Sequence, residues 1–142
     1  MVIRGKYEND KGMNCLIINN PQHELPDVLE RFLRDKKVET VMLSDPWMGV
    51  QKAQEQHFDL ILLDAQTPDL RIDSTIRLLK GCDPQARIIV RTDENSRNLE
   101  TLVRSERVYY FHVDSFGDQE LLLAIATALG LMGYSAKQKS QA

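Results

Sequence analysis

The sequence predicts an α/β fold: a doubly wound, five-stranded parallel sheet with helices on both faces. Two observations carry this. Five short apolar runs alternate with five stretches of helical periodicity, the pattern of successive β–α units with right-handed crossovers. The strand-like runs, "LILL" at residues 60–63 above all, are continuously apolar rather than alternating, as expected of strands covered on both faces.

In chain order, residues 14–19 ("NCLIIN") read as the first strand. The first helix follows. Its apolar residues Leu25, Val28, Leu29, Phe32 and Leu33 recur at i, i+3, i+4, i+7 and i+8, one helical face. Residues 38–44 are the second strand. Asp45 then supplies an acidic N-cap, and Pro46 fills the first helical position of a helix running to about Gln56. The third strand spans 58–64. A helix over 73–80 is expected to stop at Gly81. Residues 86–92 are the fourth strand, 94–105 a helix carrying Leu99, Leu102 and Val103, and 107–113 the fifth strand. The last helix starts near Asp118 and buries Leu122, Ile125, Leu129 and Met132. Residues 1–12 read as a flexible polar lead-in, 13–132 as the folded domain and 133–142 as a disordered polar tail.

Length and composition bound the function. The chain has 142 residues, 42% hydrophobic and 27% charged, which suits one globular domain with a self-sufficient core. A net charge of −3 offers no nucleic-acid footprint. No apolar run approaches the roughly 20 residues needed to cross a bilayer. The charged start has no secretory apolar segment, so a cytoplasmic protein is expected. Cys15, in a strand, and Cys82, in a loop after a helix, read as reduced thiols. His23, His57 and His112 lack zinc-ligand spacing.

In parallel sheets of this kind, chemistry gathers beyond the carboxyl ends of the strands. There the first strand ends in Asn19-Asn20, the third in Asp64, the fourth in Thr92 with Asp93 next, and the fifth runs through Phe111 and His112 to Asp114. An acid ending the most apolar strand is placed for a site rather than for the core.

With "LILLD", Pro68 four residues after Asp64, Thr92 ending the fourth strand, and "FHVDSFGDQELLLAI" closing the domain, the chain resembles the receiver domains of bacterial two-component response regulators over about residues 13–129. The resemblance implies a flavodoxin-like sheet of strand order 2-1-3-4-5. It implies a phosphoacceptor at Asp64 and a switch pair at Thr92 and Phe111, the aromatic turning inward when the domain is active. It implies a magnesium ion near the end of the first strand, and a histidine kinase or downstream effector as partner. The face formed by the fourth helix, fifth strand and fifth helix would dock that partner or a second copy. Leu123, off the buried stripe, and the aromatics of "VYYF" at 108–111 fit such a surface.

The chain departs from the family where the chemistry is done. Asn19-Asn20 replace the acid pair, Asp114 stands at the lysine position, Ser115 replaces the proline after it, and Ile72 replaces a small residue. Asn20 offers a hard cation only a neutral oxygen, so Asp64, Asn20 and Gln66 would hold magnesium weakly. An inward Asp114 would repel an incoming phosphoryl group by roughly 4 kcal/mol at about 4 Å and an effective dielectric of about 20. The expectation is an atypical receiver that signals by protein–protein interaction, its acid having lost its cationic company. The alternative is a working phosphoacceptor. An aspartyl-phosphate-type hydrolase would need an acid where Gln66 stands. A flavin or nucleotide binder would need glycines in "NNPQHE". Asn19 and Asn20 also read as plain turn residues, and Asp93 as a solvated acid.

Overall fold

The computed structural model describes residues 12–131. The lead-in up to residue 11, Met132 and the polar tail lie outside the described residues. Within them, β1 (Asn14–Ile18), β2 (Glu39–Leu43), β3 (Leu60–Asp64), β4 (Arg87–Thr92) and β5 (Tyr110–Val113) form one sheet in the order β2-β1-β3-β4-β5. Every neighbouring pair is parallel. The expected flavodoxin-like order is the one observed. The helices are α1 (Asp27–Asp35), α2 (Pro46–Glu55), α3 (Ile72–Cys82), α4 (Arg97–Ser105) and α5 (Asp118–Ala128).

Side chains alternate through the sheet into two cores. Cys15, Ile17, Leu60, Leu62 and Ile89 pack under α1 and α5, while Leu16, Ile18, Ile61, Leu63, Val90 and Phe111 pack under α2, α3 and α4. β1 and β3 are buried along their whole length, which is why both read as unbroken apolar runs. Each fully buried Leu or Ile contributes about 1.5–3 kcal/mol of transfer free energy. Cys15 and Cys82 belong to opposite cores and cannot meet. Burial also pushes the Cys15 thiol up to about 12, so it is inert.

The helix ends follow local chemistry. Asp45 Oδ1 accepts from the Trp47 N–H at 2.9 Å with Pro46 at the first helical position, as the sequence predicts. Ser96 caps α4 through the Leu99 N–H. α1 and α5 close with paired bonds: Lys37 N to Arg34 O and Val38 N to Leu33 O, and Gly130 N to Thr127 O and Leu131 N to Ala126 O. Lys37, at φ 58°, takes the left-handed position that Gly130, at φ 77°, takes in α5.

Several expectations are corrected. Gly81 does not stop α3, which continues through Cys82. The stop is Asp83, whose side chain turns away to accept from His57 Nδ1 and the Phe58 N–H, both at 2.8 Å. Cys82 therefore sits in a helix rather than a loop. Val28 is exposed, so the apolar face of α1 is narrower than its spacing predicts. Leu102 is exposed too, leaving Val103 as the buried anchor of α4. α4 begins at Arg97, after its Ser96 cap, and β5 at Tyr110, each three residues late.

Gly49 marks the closest helix–sheet approach. A Cβ there would clash with Ile18 Cδ1 and lie 2.7 Å from its Cγ1. Ile18 is wholly buried and has little room to yield. Gly49→Ala should lower the unfolding free energy by about 1–2 kcal/mol, overpacking outweighing the helix-propensity gain of roughly 1 kcal/mol. Urea denaturation measures this, and an unchanged or raised midpoint would contradict the packing account.

Candidate functional site

Parallel pairing puts Asp64 of β3 directly opposite Arg91 of β4, and Arg91 opposite His112 of β5. Residues in register point to the same side, so alternation sends all three toward the α1/α5 face. Asp64 and Arg91 are almost completely buried, at 0% and 2% exposure. A carboxylate and a guanidinium at that depth must each find partners, because an isolated charge out of water is very costly.

Asp64 finds them on both oxygens. Oδ1 accepts from the Gln66 N–H at 2.9 Å. Oδ2 accepts from the Asn20 N–H at 3.1 Å and lies 3.0 Å from His23 Nδ1. The other nitrogen of that ring, Nε2, is 2.6 Å from Asp114 Oδ2. His23 thus spans two carboxylates, the phosphoacceptor position and the lysine position of the resemblance. Asp114 points inward from a 3-10 turn (Asp114–Phe116), an orientation its position alone left open.

Arg91 holds the loop that carries His23. Nη1 donates to Asn19 Oδ1 at 3.1 Å and to the His23 carbonyl at 3.4 Å, and Nη2 donates to the Glu24 carbonyl at 3.2 Å. Nη2 also lies 2.8 Å from His23 Nε2 and 3.8 Å from Asp114 Oδ2. One ring nitrogen cannot donate to Asp114 and accept from Arg91 together. Protonated His23 donates to both carboxylates; the neutral ring keeps one carboxylate and accepts from Arg91.

Burial is the largest influence on His23 and lowers its pKa. The hydrogen bonds to Asp114 and then Asp64 outweigh it despite Arg91, and the net shift is upward. His112 goes the other way, lowered chiefly by burial, with its ring edge-on to Phe116 and 3.5 Å from the Tyr110 hydroxyl.

The expectation of an acid without cationic company is therefore overturned. Arg91, and His23 when protonated, supply positive charge to offset Asp64 and Asp114. Neither is singled out from sequence: Arg91 lies within the fourth-strand run, and His23 is weighed only for zinc-ligand spacing. The repulsion expected between Asp114 and the Asp64 pocket is likewise relieved, since the ring stands between them.

The residues predicted as metal ligands gather around Asp64, but their polar atoms are already engaged with one another and with neighbouring loops. Asn20 Nδ2 donates to the Gln66 carbonyl at 2.9 Å, and its Oδ1 accepts from the Gln22 N–H at 3.0 Å. The Gln66 side chain turns to Asp93, donating to its carboxylate and accepting from its N–H at 3.0 Å. Asp93 is exposed as expected but is paired with Gln66. With Asp64 capped on both oxygens, this donor set does not fit a divalent cation. Among the described residues no cluster of three or more His, Cys, Asp or Glu side chains suits a metal.

Asn19 and Asn20 are turn residues, and they are also struts: Asn19 Nδ2 donates to the carbonyls of Asn20 and His23, both at 3.0 Å. Thr92 is fully buried, and its hydroxyl accepts from the Glu94 N–H at 3.0 Å. Phe111 is turned inward at 2% exposure, with the Arg104 guanidinium 5.9 Å from its ring centre.

A scan against protein-family models finds no match, and a search of curated proteins finds none. Solved structures do share the fold. A CheY-like response regulator receiver domain from Methanospirillum hungatei JF-1 has 18% identity over 92% of this chain and 99% of that one, with a TM-score of 0.72. The receiver domain of a sensor histidine kinase from Pseudomonas aeruginosa PAO1, with magnesium coordinated in its active-site cleft, has 21% identity over 84% and 98%, at 0.70. A response regulator from Burkholderia pseudomallei with a phosphorylated aspartic acid and a calcium ion has 19% identity over 89% and 74%, at 0.69. At such identities the likeness establishes the receiver-type fold.

Two outcomes follow from the network. His23 has a folded pKa above its ordinary value of 6.5, so its stabilisation is complete below about pH 6.5 and fades as pH rises through the folded value. The stability difference between the native protein and His23→Gln, followed by urea denaturation, should shrink as pH rises; a difference constant from pH 5.5 to 8.5 contradicts it. His112 works in the opposite sense, losing its contribution as pH falls below 6.5, and cancels in that difference. Arg91→Met strands Asn19 Oδ1 and the Glu24 carbonyl, leaves the His23 carbonyl to Asn19 Nδ2 alone, and should cost on the order of 3 kcal/mol. A loss under about 1 kcal/mol would show that the guanidinium is dispensable.

Proposed function

We propose that this chain is a receiver-type signalling module that acts by binding a protein partner, with no enzymatic activity of its own and with Asp64 as a structural acid rather than a phosphoacceptor. The observation that carries the reading is the state of Asp64: wholly buried, with N–H partners on both oxygens and the His23 ring against one of them. Transfer of a phosphoryl group needs a free carboxylate lone pair in line with the donor, and positive charge on the equatorial oxygens. Here Oδ2 already accepts from the Asn20 N–H and meets the His23 ring, Oδ1 accepts from the Gln66 N–H, and Arg91 is engaged with the β1–α1 loop and Asp114. Magnesium binding is accordingly weak in this reading, since Asn20 and Gln66 are committed elsewhere.

The inward Phe111 supports a domain set in its signalling arrangement. The proposed docking face is that of α4, β5 and α5, where Tyr109 and Phe116 are exposed and Tyr110, Glu120 and Leu123 line a shallow groove. A histidine kinase, a downstream effector or a second copy would be read there. The net charge of −3 favours a protein over a nucleic acid. No helix among the described residues is long and apolar enough to cross a membrane, in keeping with a cytoplasmic role.

Incubation with magnesium and acetyl phosphate, followed by intact mass, tests this directly. The mass should stay unchanged. A stoichiometric gain of one phosphoryl group that disappears in Asp64→Asn would restore the working phosphoacceptor.

A further inference from the structure

We infer that the β1–α1 loop is a built-in plug: the His23 ring fills the place over Asp64 that an incoming cation or phosphoryl oxygen would need, and Arg91 keeps it seated. The inference deepens the binding-module reading and supplies its mechanism.

The geometry is that of a strut rather than a passing contact. One ring joins the end of β3, through Asp64, to the turn after β5, through Asp114, at 3.0 and 2.6 Å. The loop beneath it is tied at every step. Its Gln22 N–H is taken by Asn20 Oδ1, the His23 N–H by the Asn20 carbonyl at 2.9 Å, and the His23 carbonyl by Asn19 Nδ2. Arg91, rooted in the sheet, reaches up to the His23 and Glu24 carbonyls. Pro21 fixes one backbone torsion of a loop without glycine, so little entropy is recovered by letting the ring swing away. His23 is thus a positioning residue that acts through Asp64.

The plug replaces an exchangeable ligand with a covalently attached one. A free cation must bear the cost of association and can leave; a side chain on an ordered loop is present at a very high effective concentration. Taking the ring away would leave the Asp64 and Asp114 carboxylates facing one another across the width of an imidazole with no donor between them. Two facing carboxylates attract a hard divalent cation.

The test is an NMR titration of the full chain with magnesium chloride, following the amides of Asn20, Asp64 and Gln66. The native protein should show no saturating shift in the millimolar range. His23→Ala and His23→Ser should gain a saturable site, tighter than the native protein by at least about tenfold, that is lost when Asp64→Asn is added. Gain in neither variant, gain that survives Asp64→Asn, or equal binding by the native protein each overturns the plug. Loss of folded structure in both variants would make His23 a core strut rather than a removable plug, and overturns it too. These failures differ from failure of the binding-module reading, which requires the native protein itself to take up a phosphoryl group.

Discussion

The structure depends on one constraint: a carboxylate carried to the end of a central strand with no water to solvate it. β3 is flanked by β1 and β4 and covered by helices on both faces, so Asp64 cannot turn to solvent without leaving the sheet. Its charge has to be met where it stands. The parallel register brings Arg91 alongside, and the loops after β1 and β5 bring His23 and Asp114. Two acids and two bases close a compact cluster, formally compensated when His23 is protonated. Buried clusters of this kind add little net stability over an apolar core, but removing one member is costly, so they fix one arrangement of their loops.

That consequence matters more for function than the charge count. In a responsive receiver the loops around the acid must adjust when a ligand arrives. Here the β1–α1 loop, the end of β3 and the turn after β5 are joined through a single imidazole. Their relative positions are set by hydrogen bonds internal to the chain. Thr92 is engaged with its own loop and Phe111 is packed inward in the core under α2, α3 and α4. Both side chains are thus held by contacts within the domain.

The opposite end of the sheet uses a similar device. His57 lies between Asp83, at 2.8 Å, and Asp59, at 3.4 Å, with Asn14 donating to the His57 carbonyl. Asp83 is fully buried and also ends α3. Each end of the sheet is therefore closed by a histidine between two acids. At the Asp83 end the array ties α3 to the start of β3, with the phosphoacceptor position at the far end of the strand.

Much of the fold was legible in the sequence. Near-continuous apolar runs marked β1 and β3, because strands covered on both faces leave no room for polar alternation. Asp45-Pro46 determined the start of α2 through local capping chemistry. Position alone placed Asp64 at the site edge. Helix ends were less legible where tertiary partners decide them: α3 passes through Gly81 because Asp83, two residues on, is recruited by His57 and Phe58. The site's chemistry was the least legible part. Asn20, Gln66, Asp64 and Asp114 were identified from sequence, but not that the first two would spend their side chains on neighbouring loops. Arg91 and His23 are 68 residues apart, and His23 and Asp114 are 91 apart. Nothing local marks either pair, since a buried guanidinium and a bridging imidazole are defined by what strand register and loop path bring to them. Residue type fixes what a side chain can donate or accept; only the assembled sheet decides which partner is within reach.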